Sequence, residues 1–223
     1  MAHNLNIGHC NIQGGLIGIS KSTQVSQLIS KYNLDILSIN ETNLNNTIDT
    51  NSLNIPLGYK FLRADRGTGT RGGCGIFISN TCAFEPVSIV TNLSHIEAKW
   101  IKIKSCKVYV CGFYRSKGFC KLDDFIDYMT ECMNKLKGKK VIWIGDINVD
   151  QNNINNPEYK KLDSTLKSFN MVQTIQNYTR VAKRGNKFSY STIDVMITNC
   201  YSDFVSSQVL IEKPGDHYAI SHI

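Results

Sequence analysis

The sequence predicts a layered α/β fold, in which β-sheets pack face to face and helices cover their outer faces. Short apolar runs recur along the whole chain, and three longer segments between them have helical periodicity. No internal repeat or linker interrupts this alternation. Of the 223 residues, 42% are hydrophobic and 19% are charged, so the chain can bury a sizeable core and disorder is excluded as its main state.

The apolar runs are rich in β-branched and aromatic residues, a composition typical of β-strands. Each run is short and is bounded by polar or turn-forming residues, which favours strands over buried helices. The predicted strands are 5–10, 34–39, 59–62, 74–78, 87–90, 98–103, 108–113, 141–144, 193–198 and 205–211.

Helical periodicity predicts three helices. The clearest spans 121–137, where apolar residues fall on one face and Gly138 can end the helix. A second spans 22–32, and a third spans 157–169, where Asn156 before the proline is a suitable N-cap.

The eight cysteines are predicted to be buried free thiols. No Cys-x-x-Cys pair occurs, several cysteines lie inside apolar runs, and no export signal is visible. A disulfide framework and a structural zinc site are therefore both disfavoured.

The charge balance suits a polyanionic partner, since 25 basic against 18 acidic side chains give a formal charge of +7. No window approaches about 18 consecutive apolar residues, and the N-terminus lacks the pattern of a secretory signal. We therefore expect a soluble intracellular protein without membrane contact.

Polar side chains stand at the ends of several predicted strands, and strand ends meet at one edge of a layered fold. Taken singly, most of them have a structural interpretation, as turn caps or solvated acids. Asp194 is harder to explain in this way, because a carboxylate between apolar neighbours needs a partner that offsets its desolvation. The candidate residues are Asn11, Glu41, Tyr114, Asp146, Asn148, Asp194, Asp216 and His217.

This set of residue types matches the needs of metal-assisted phosphodiester hydrolysis. Carboxylate and amide oxygens can bind Mg²⁺, an acid can position water, and a histidine can donate to the phosphate oxygens. His217 is the histidine that stands beside an acid in the sequence.

Six motifs in this order resemble those of the exonuclease–endonuclease–phosphatase superfamily, over nearly the whole chain. Within the superfamily, the segment 177–180 with the basic stretch after it resembles the endonuclease domain of non-LTR (LINE-type) retrotransposons, and 114–116 points the same way. The six motifs are Asn11, Asn40-Glu41-Thr42, Phe113-Tyr114-Arg115, the segment 143–148, Ser191-Thr192-Ile193-Asp194 and Gly215-Asp216-His217.

The resemblance implies a four-layered α/β sandwich of two mainly antiparallel sheets, forming a single endonuclease domain over 1–223. Such a domain nicks one strand of double-stranded DNA in the nucleus and leaves 3′-hydroxyl and 5′-phosphate ends. The 3′ end would prime reverse transcription by a polymerase domain of the same polyprotein, of which this chain would be an N-terminal part.

The resemblance also implies roles for the metal-binding and water-binding residues. Glu41 would be the principal Mg²⁺ ligand, with Asn11 beside it, and Mn²⁺ could replace Mg²⁺. Asp146 would orient or deprotonate the attacking water, and Asn148 would position that water and the phosphate.

For the phosphate itself, the resemblance implies that His217, held by Asp194, donates to the scissile group. Tyr114 would contact a phosphate oxygen, and Asp216 would lie near the metal through water. One departure is Gly215, where the family usually has serine, so that a hydrogen bond of the family is missing here.

The predicted DNA-binding residues form a basic ribbon. Gly185-Asn186 is a favourable hairpin turn, so the flanking basic side chains could reach a groove or its phosphates, although an ordinary exposed hairpin is the alternative. Two other groups, Lys102 with Lys104 and the lysines of 135–140, are interpreted as solvated faces. The predicted DNA contacts are Arg115, Thr179, Arg180, Lys183, Arg184 and Lys187.

Three other functions share parts of this pattern. An apurinic/apyrimidinic repair endonuclease has the same metal chemistry, as does a phosphatase or sphingomyelinase of the superfamily. A catalytically inactive DNA-binding module is the third, but a protein that only binds gains nothing from burying several carboxylates.

Overall fold

The computed structural model describes residues 5–67, 71–93, 95–203 and 205–222. Within these ranges, fourteen strands form two six-stranded sheets and a separate hairpin of β10 (Arg180–Arg184) and β11 (Lys187–Ser191). Helices α1 (Ile19–Tyr32) and α2 (Leu122–Lys135) each connect two parallel strands, and α3 (Pro157–Ser168) follows the second sheet's β8 (Lys140–Asp146). None of the helices in these ranges has the length and hydropathy that a membrane span requires.

The first sheet is mixed, because β1 (Ile7–Asn11) and β2 (Ile36–Asn40) pair in parallel and all its other neighbouring strands pair antiparallel. A crossover through α1 makes the parallel pairing possible. The strands, in spatial order, are β13 (Ser207–Val209), β14 (Ile220–His222), β1 (Ile7–Asn11), β2 (Ile36–Asn40), β4 (Cys74–Ser79) and β3 (Tyr59–Ala64).

The second sheet repeats this arrangement, with β7 (Val108–Tyr114) and β8 (Lys140–Asp146) as its parallel pair and α2 as the crossover. Gly145 permits close contact within that pair, since a Cβ atom there would lie 1.9 Å from the Phe113 carbonyl oxygen. The strands, in spatial order, are β5 (Phe84–Val87), β6 (Glu97–Ile103), β7 (Val108–Tyr114), β8 (Lys140–Asp146), β12 (Asp194–Thr198) and β9 (Val172–Gln173).

The helices are α1 (Ile19–Tyr32), α2 (Leu122–Lys135) and α3 (Pro157–Ser168). Asn156 caps α3 as predicted, because its side chain accepts a hydrogen bond from the Glu158 backbone N–H. Helix α1 begins three residues before the predicted start, and no side chain caps it.

Three apolar clusters show how the layers stack. One lies between the two sheets and contains Ile76, Val110 and Ile144. A second joins α1 to the outer face of the first sheet, and a third joins α2 and α3 to the outer face of the second sheet. The predicted four-layered sandwich is therefore confirmed.

Two predicted strands are displaced or shortened in the structure. The run 87–90 is replaced by β5, which includes Pro86 and lies at the sheet edge, where a missing N–H is tolerated. The run 205–211 shortens to β13, with Val205 and Ile211 exposed. Apolar composition predicts that a strand exists better than it predicts where the strand ends.

All eight cysteines are free thiols, as predicted. Six are buried, whereas Cys82 is half-buried and Cys106 is exposed. The prediction of burial is therefore wrong for Cys106, which lies in the turn between β6 and β7.

Strand pairing brings the polar strand ends together. In the first sheet, Asn11 at the end of β1 pairs with Asn40 at the end of β2. In the second sheet, Tyr114, Asp146 and Asp194 occupy neighbouring positions on β7, β8 and β12. Both sheets therefore present their polar residues at the same end of the sandwich.

Candidate active site

Asn11 connects the two sheets at this end. Its buried Nδ2 donates to Glu41 Oε1 at 3.0 Å and to Asp146 Oδ2 at 3.1 Å. The Tyr114 hydroxyl donates to the same Glu41 oxygen at 3.0 Å. Glu41 has a left-handed backbone, with φ of 58°, which turns the chain sharply after β2. One amide and one phenol therefore hold two carboxylates in a single network.

Asn40 completes this connection, and we did not assign it a role from the sequence. Its Oδ1 accepts a hydrogen bond from the Asp146 backbone N–H at 2.8 Å, and its Nδ2 donates to the Phe113 carbonyl at 2.9 Å. Its sequence position indicates such a role, because Asn40 ends a fully buried strand and a buried amide requires hydrogen-bond partners.

Asp146 and Asn148 form a tight turn after β8. The Asn148 backbone N–H donates to Asp146 Oδ1 at 2.8 Å, and Asn148 Nδ2 donates to the Arg115 carbonyl at 3.0 Å. The backbone of Asn148 is left-handed, with φ of 53°. The turn therefore fixes both side chains that were predicted to position water.

Asp194 lies between two histidines. Its Oδ2 is 2.8 Å from His217 Nδ1, and its Oδ1 is 3.1 Å from His9 Nε2. His9 has no exposed surface and was not predicted. It lies two residues before Asn11 on β1, so both side chains emerge on the same face of that strand.

The charges of this group are set by burial and by pairing. Burial favours the neutral acid at Asp194, but the charge and hydrogen bond of His217, with the bond from His9, lower its pKa. Burial also favours neutral imidazole at His217, but the charge of Asp194 and its hydrogen bond raise the His217 pKa to about 9. The pair is therefore an imidazolium–carboxylate ion pair at neutral pH.

The pKa of Asp146 is raised, in contrast to that of Asp194. Burial and then the negative charge of Asp194 raise its pKa to about 7. A carboxylate that holds its proton near neutral pH can exchange that proton with a bound water.

The loop that carries His217 is attached to the β1 end by Gln13. The Asp216 backbone N–H donates to Gln13 Oε1 at 3.1 Å, and the Gln13 backbone N–H donates to Asn11 Oδ1 at 3.0 Å. A Cβ atom at Gly215 would lie 2.6 Å from Gln13 Oε1. In this chain Gln13 therefore occupies the space beside residue 215, where the family usually has serine.

The Asp216 side chain pairs with Arg180. Its Oδ2 is 2.7 Å from one terminal guanidinium nitrogen and 2.9 Å from Nε. Its Oδ1 lies 3.5 Å from His217 Nε2. Arg180 is thus anchored at the start of the hairpin, beside the histidine.

Two of the residues predicted to contact DNA have buried side chains that already have protein partners. The Thr179 hydroxyl has no exposed surface and accepts hydrogen bonds from the Ile193 and Asp194 backbone N–H groups. Arg115 is 2% exposed, and its guanidinium donates to two backbone carbonyls and to Glu158. Thr179 thus holds the backbone at Asp194, and Arg115 holds the backbone at Ile147, next to Asp146.

The other predicted DNA contacts lie on the hairpin of β10 (Arg180–Arg184) and β11 (Lys187–Ser191). Gly185 has φ of 58° and lies in the predicted turn. Arg184, Lys187 and Lys183 are exposed, and the Lys183 ammonium lies 5.7 Å from the centre of the Phe188 ring. The hairpin thus presents an exposed basic ribbon beside the site.

The acidic residues fit a hard divalent cation. Ligand atoms of Asp146, Asp194 and His217 lie within 4.8 Å of one another, but Asp194 and His217 already bond to each other, and His217 carries its own positive charge. Glu41 is half-buried and is linked through Asn11 to Asp146. Its carboxylate is therefore the better anchor for an ion that prefers oxygen ligands.

Solved structures of nucleic-acid enzymes share this fold. The endonuclease domain of TRAS1, a telomere-specific non-LTR retrotransposon, aligns over 98% of this chain and 97% of its own, with a TM-score of 0.77 and 14% identity. The AP endonuclease LMAP from Leishmania major aligns over 98% and 86%, with a TM-score of 0.82 and 14% identity. The 3′ phosphatase NExo from Neisseria, bound to a product DNA hairpin, aligns over 99% of both chains, with a TM-score of 0.74 and 15% identity.

No curated protein sequence matches the chain. The model of the endonuclease/exonuclease/phosphatase family matches residues 8–217, which include every candidate residue from Asn11 to His217. The chain therefore belongs to the endonuclease/exonuclease/phosphatase family and is a metal-dependent phosphodiester hydrolase.

Proposed function

We propose that the chain is a DNA endonuclease that nicks one strand of a duplex and leaves 3′-hydroxyl and 5′-phosphate ends. The observation that carries this proposal is the imidazolium of His217, fixed by Asp194 within the same group as Asp146. A preorganised positive charge beside a carboxylate of raised pKa suits attack of water on a phosphodiester.

The residues of the chain divide the work between them. Asp146 orients the attacking water and accepts its proton, and Asn148 positions that water and the phosphate. His217 donates to a phosphate oxygen and stabilises the charge that develops there, while Asp194 keeps the imidazole oriented. The Tyr114 hydroxyl contacts a second phosphate oxygen. Asp216 holds the Arg180 guanidinium beside the DNA strand that is cut.

Glu41 would hold Mg²⁺, with Asn11 beside it, and Mn²⁺ could replace it. When bound, the ion polarises the phosphate and neutralises its charge. Among the described residues, Glu41 and Asp146 accept hydrogen bonds from neutral donors and form no ion pair with a basic side chain, which supports such a site.

Double-stranded DNA is the proposed substrate, and the β10–β11 hairpin is the proposed reader of the DNA groove. Lys183, Arg184 and Lys187 are exposed on this ribbon beside Arg180. Similarity to the TRAS1 endonuclease domain supports a retrotransposon origin, with the reverse transcriptase domain of a polyprotein as partner and the nucleus as the place of action. The nick would then prime reverse transcription.

Nicking of supercoiled plasmid in Mg²⁺, with an EDTA control, tests the proposal. We expect open-circle product from the wild type and at least a thousandfold slower nicking by Glu41→Gln, which keeps the hydrogen-bonding shape but removes the charge. Equal nicking by this variant would contradict the assignment of Glu41.

Oligonucleotide duplexes with and without one abasic site separate two kinds of endonuclease. Cleavage of the intact duplex at mapped sites, with ends that a polymerase extends, is the expected result. Cleavage restricted to the abasic duplex would instead indicate a repair enzyme, for which similarity in fold to LMAP is the support.

A further inference from the structure

The end of the sandwich opposite the candidate active site carries a dense group of lysines. Register places it there, because Ile103 pairs with Val108 and Val108 pairs with Lys140 at the far ends of β6, β7 and β8. The seven residues of β7 separate this end from the site by roughly 20 Å. We call this group the distal surface, and it comprises Lys102, Lys104, Lys107, Lys137, Lys139 and Lys140.

Few acids balance these charges. Lys102 pairs with Glu85 at 2.7 Å, and Lys140 pairs with Asp203 at 2.6 Å. The other four lysines are exposed and form no ion pair with any residue in the described ranges. Clustered like charges repel one another, so a polyanion at this surface would relieve an unfavourable arrangement.

Two shallow grooves shape the distal surface and meet at Gly138. One, of about 480 Å³, runs between the turn at Cys106 and Lys107 and the segment Lys139 to Lys140. The other, of about 470 Å³, is lined by Lys137 and by polar side chains that include Asn134, Asn170 and Asn199. Lysines and amides that line a groove are the side chains that contact phosphate and sugar in nucleic-acid complexes.

We propose that the distal surface binds the phosphodiester backbone of a second nucleic-acid segment, separate from the duplex in the active site. A straight duplex that lies across the site cannot reach it, because the sandwich separates the two ends. This proposal goes beyond the proposed nicking function, since the surface contains no residue of the active site. The predicted interpretation of these lysines as a solvated face is its alternative.

A bridging assay in EDTA tests the proposal without turnover. A short duplex of about 14 base pairs, roughly 48 Å long, is immobilised and saturated with protein. A labelled second nucleic acid is then added, and the amount retained is measured. Single-stranded RNA, single-stranded DNA and duplex DNA are offered separately, because all three share the same backbone charge. We expect the wild type to capture at least one of them.

The distal variant is Lys104→Gln, Lys107→Gln and Lys139→Gln, and the control variant is Lys160→Gln, Lys161→Gln and Lys167→Gln on α3. Both lose three positive charges from exposed positions. We expect the distal variant to load onto the immobilised duplex within twofold of wild type but to capture at least tenfold less second strand. The control variant should capture as much as wild type.

Salt dependence gives an independent readout. The slope of log affinity for the second strand against log salt should be smaller by about 2 in the distal variant, from three lysines at about 0.7 each for single strands. Capture that is unchanged in the distal variant, or absent from the wild type, would overturn the proposal. Failure of the nicking proposal would appear separately, as absence of plasmid nicking by wild type, and unfolding midpoints would confirm that each variant is folded.

Discussion

Asp146 and Asp194 lie directly opposite each other on β8 and β12, and both are almost completely buried. Their pKa values nevertheless shift in opposite directions. Asp194 accepts from His9 and His217 on its two oxygens, and its pKa is lowered. Asp146 accepts from an amide side chain and a backbone N–H, and its pKa is raised to about 7.

The difference between the two acids shows that burial alone does not set the charge of a carboxylate. Burial disfavours the charged form of both carboxyls. At Asp194 the charge and hydrogen bond of His217 outweigh burial and lower the pKa. At Asp146 the charge of Asp194 adds to burial, and the charge of His217 and the hydrogen bond from Asn11 offset only part of the rise. Two acids in register can therefore serve two purposes, one as a fixed anion that orients His217 and the other as a group that exchanges a proton.

The largest expected effect follows from removing the anion of the paired acid. Asp194→Asn should lower the free energy of unfolding by about 3 to 5 kcal/mol, because it leaves the buried His217 without its counter-charge. Nicking should fall at least a thousandfold. Urea unfolding at pH 7 measures the stability, and a loss below about 1 kcal/mol would show that the pair behaves like an exposed one.

The pH dependence of stability tests the charge of His217. Its folded pKa of about 9 lies above the ordinary value of 6.5, so its contribution is complete below pH 6.5 and is lost as pH rises through 9. The wild type should therefore exceed His217→Gln in stability by about 3 kcal/mol more at pH 6 than at pH 10. A difference that is constant across this range would mean that the histidine is neutral.

Removing the charge of Asp146 should stabilise the protein, whereas removing the charge of Asp194 should destabilise it. Asp146→Asn should raise the free energy of unfolding by about 1 to 3 kcal/mol at pH 8, because the wild type must ionise a buried carboxylate there. Nicking should be lost, since the amide cannot accept a proton. The gain should shrink as pH falls from 7 toward 4, and a variant less stable than wild type at pH 8 would contradict the raised pKa.

The smallest expected effect concerns the loop that carries His217. Gly215→Ser should lower the free energy of unfolding by about 1 kcal/mol, because its Cβ atom displaces the Gln13 side chain and weakens the bond to the Asp216 N–H. The cost should be smaller when the same substitution is made in Gln13→Ala. Additive effects in this double-mutant cycle would show that the two positions do not share space.

Much of the site could be predicted because chemistry and sequence position agree. Glu41, Tyr114, Asp146 and Asp194 are polar residues at the ends of apolar strands, and strand ends must meet at an edge of the sheets. The hairpin at Gly185 was also predictable, because its turn residues determine its geometry.

Other parts could not be predicted, since one residue type serves more than one purpose. Thr179 and Arg115 looked like DNA contacts, but burial makes them internal donors and acceptors. His9 and Asn40 have no role in the sequence-based prediction, because their hydrogen-bond partners lie 73 to 185 residues away in sequence.

The sequence by itself determined the alternation of strands and helices, the polar residues at strand ends and the turn of the basic hairpin, because these depend on periodicity and local backbone chemistry. Only the tertiary structure decided which acid is paired with histidine, which basic residues face solvent and that Gln13 occupies the space beside Gly215. Those outcomes depend on the distances between segments far apart in the chain and on how deeply they are buried. A pKa shifts, and a charged side chain becomes buried or stays exposed, only when those segments pack together.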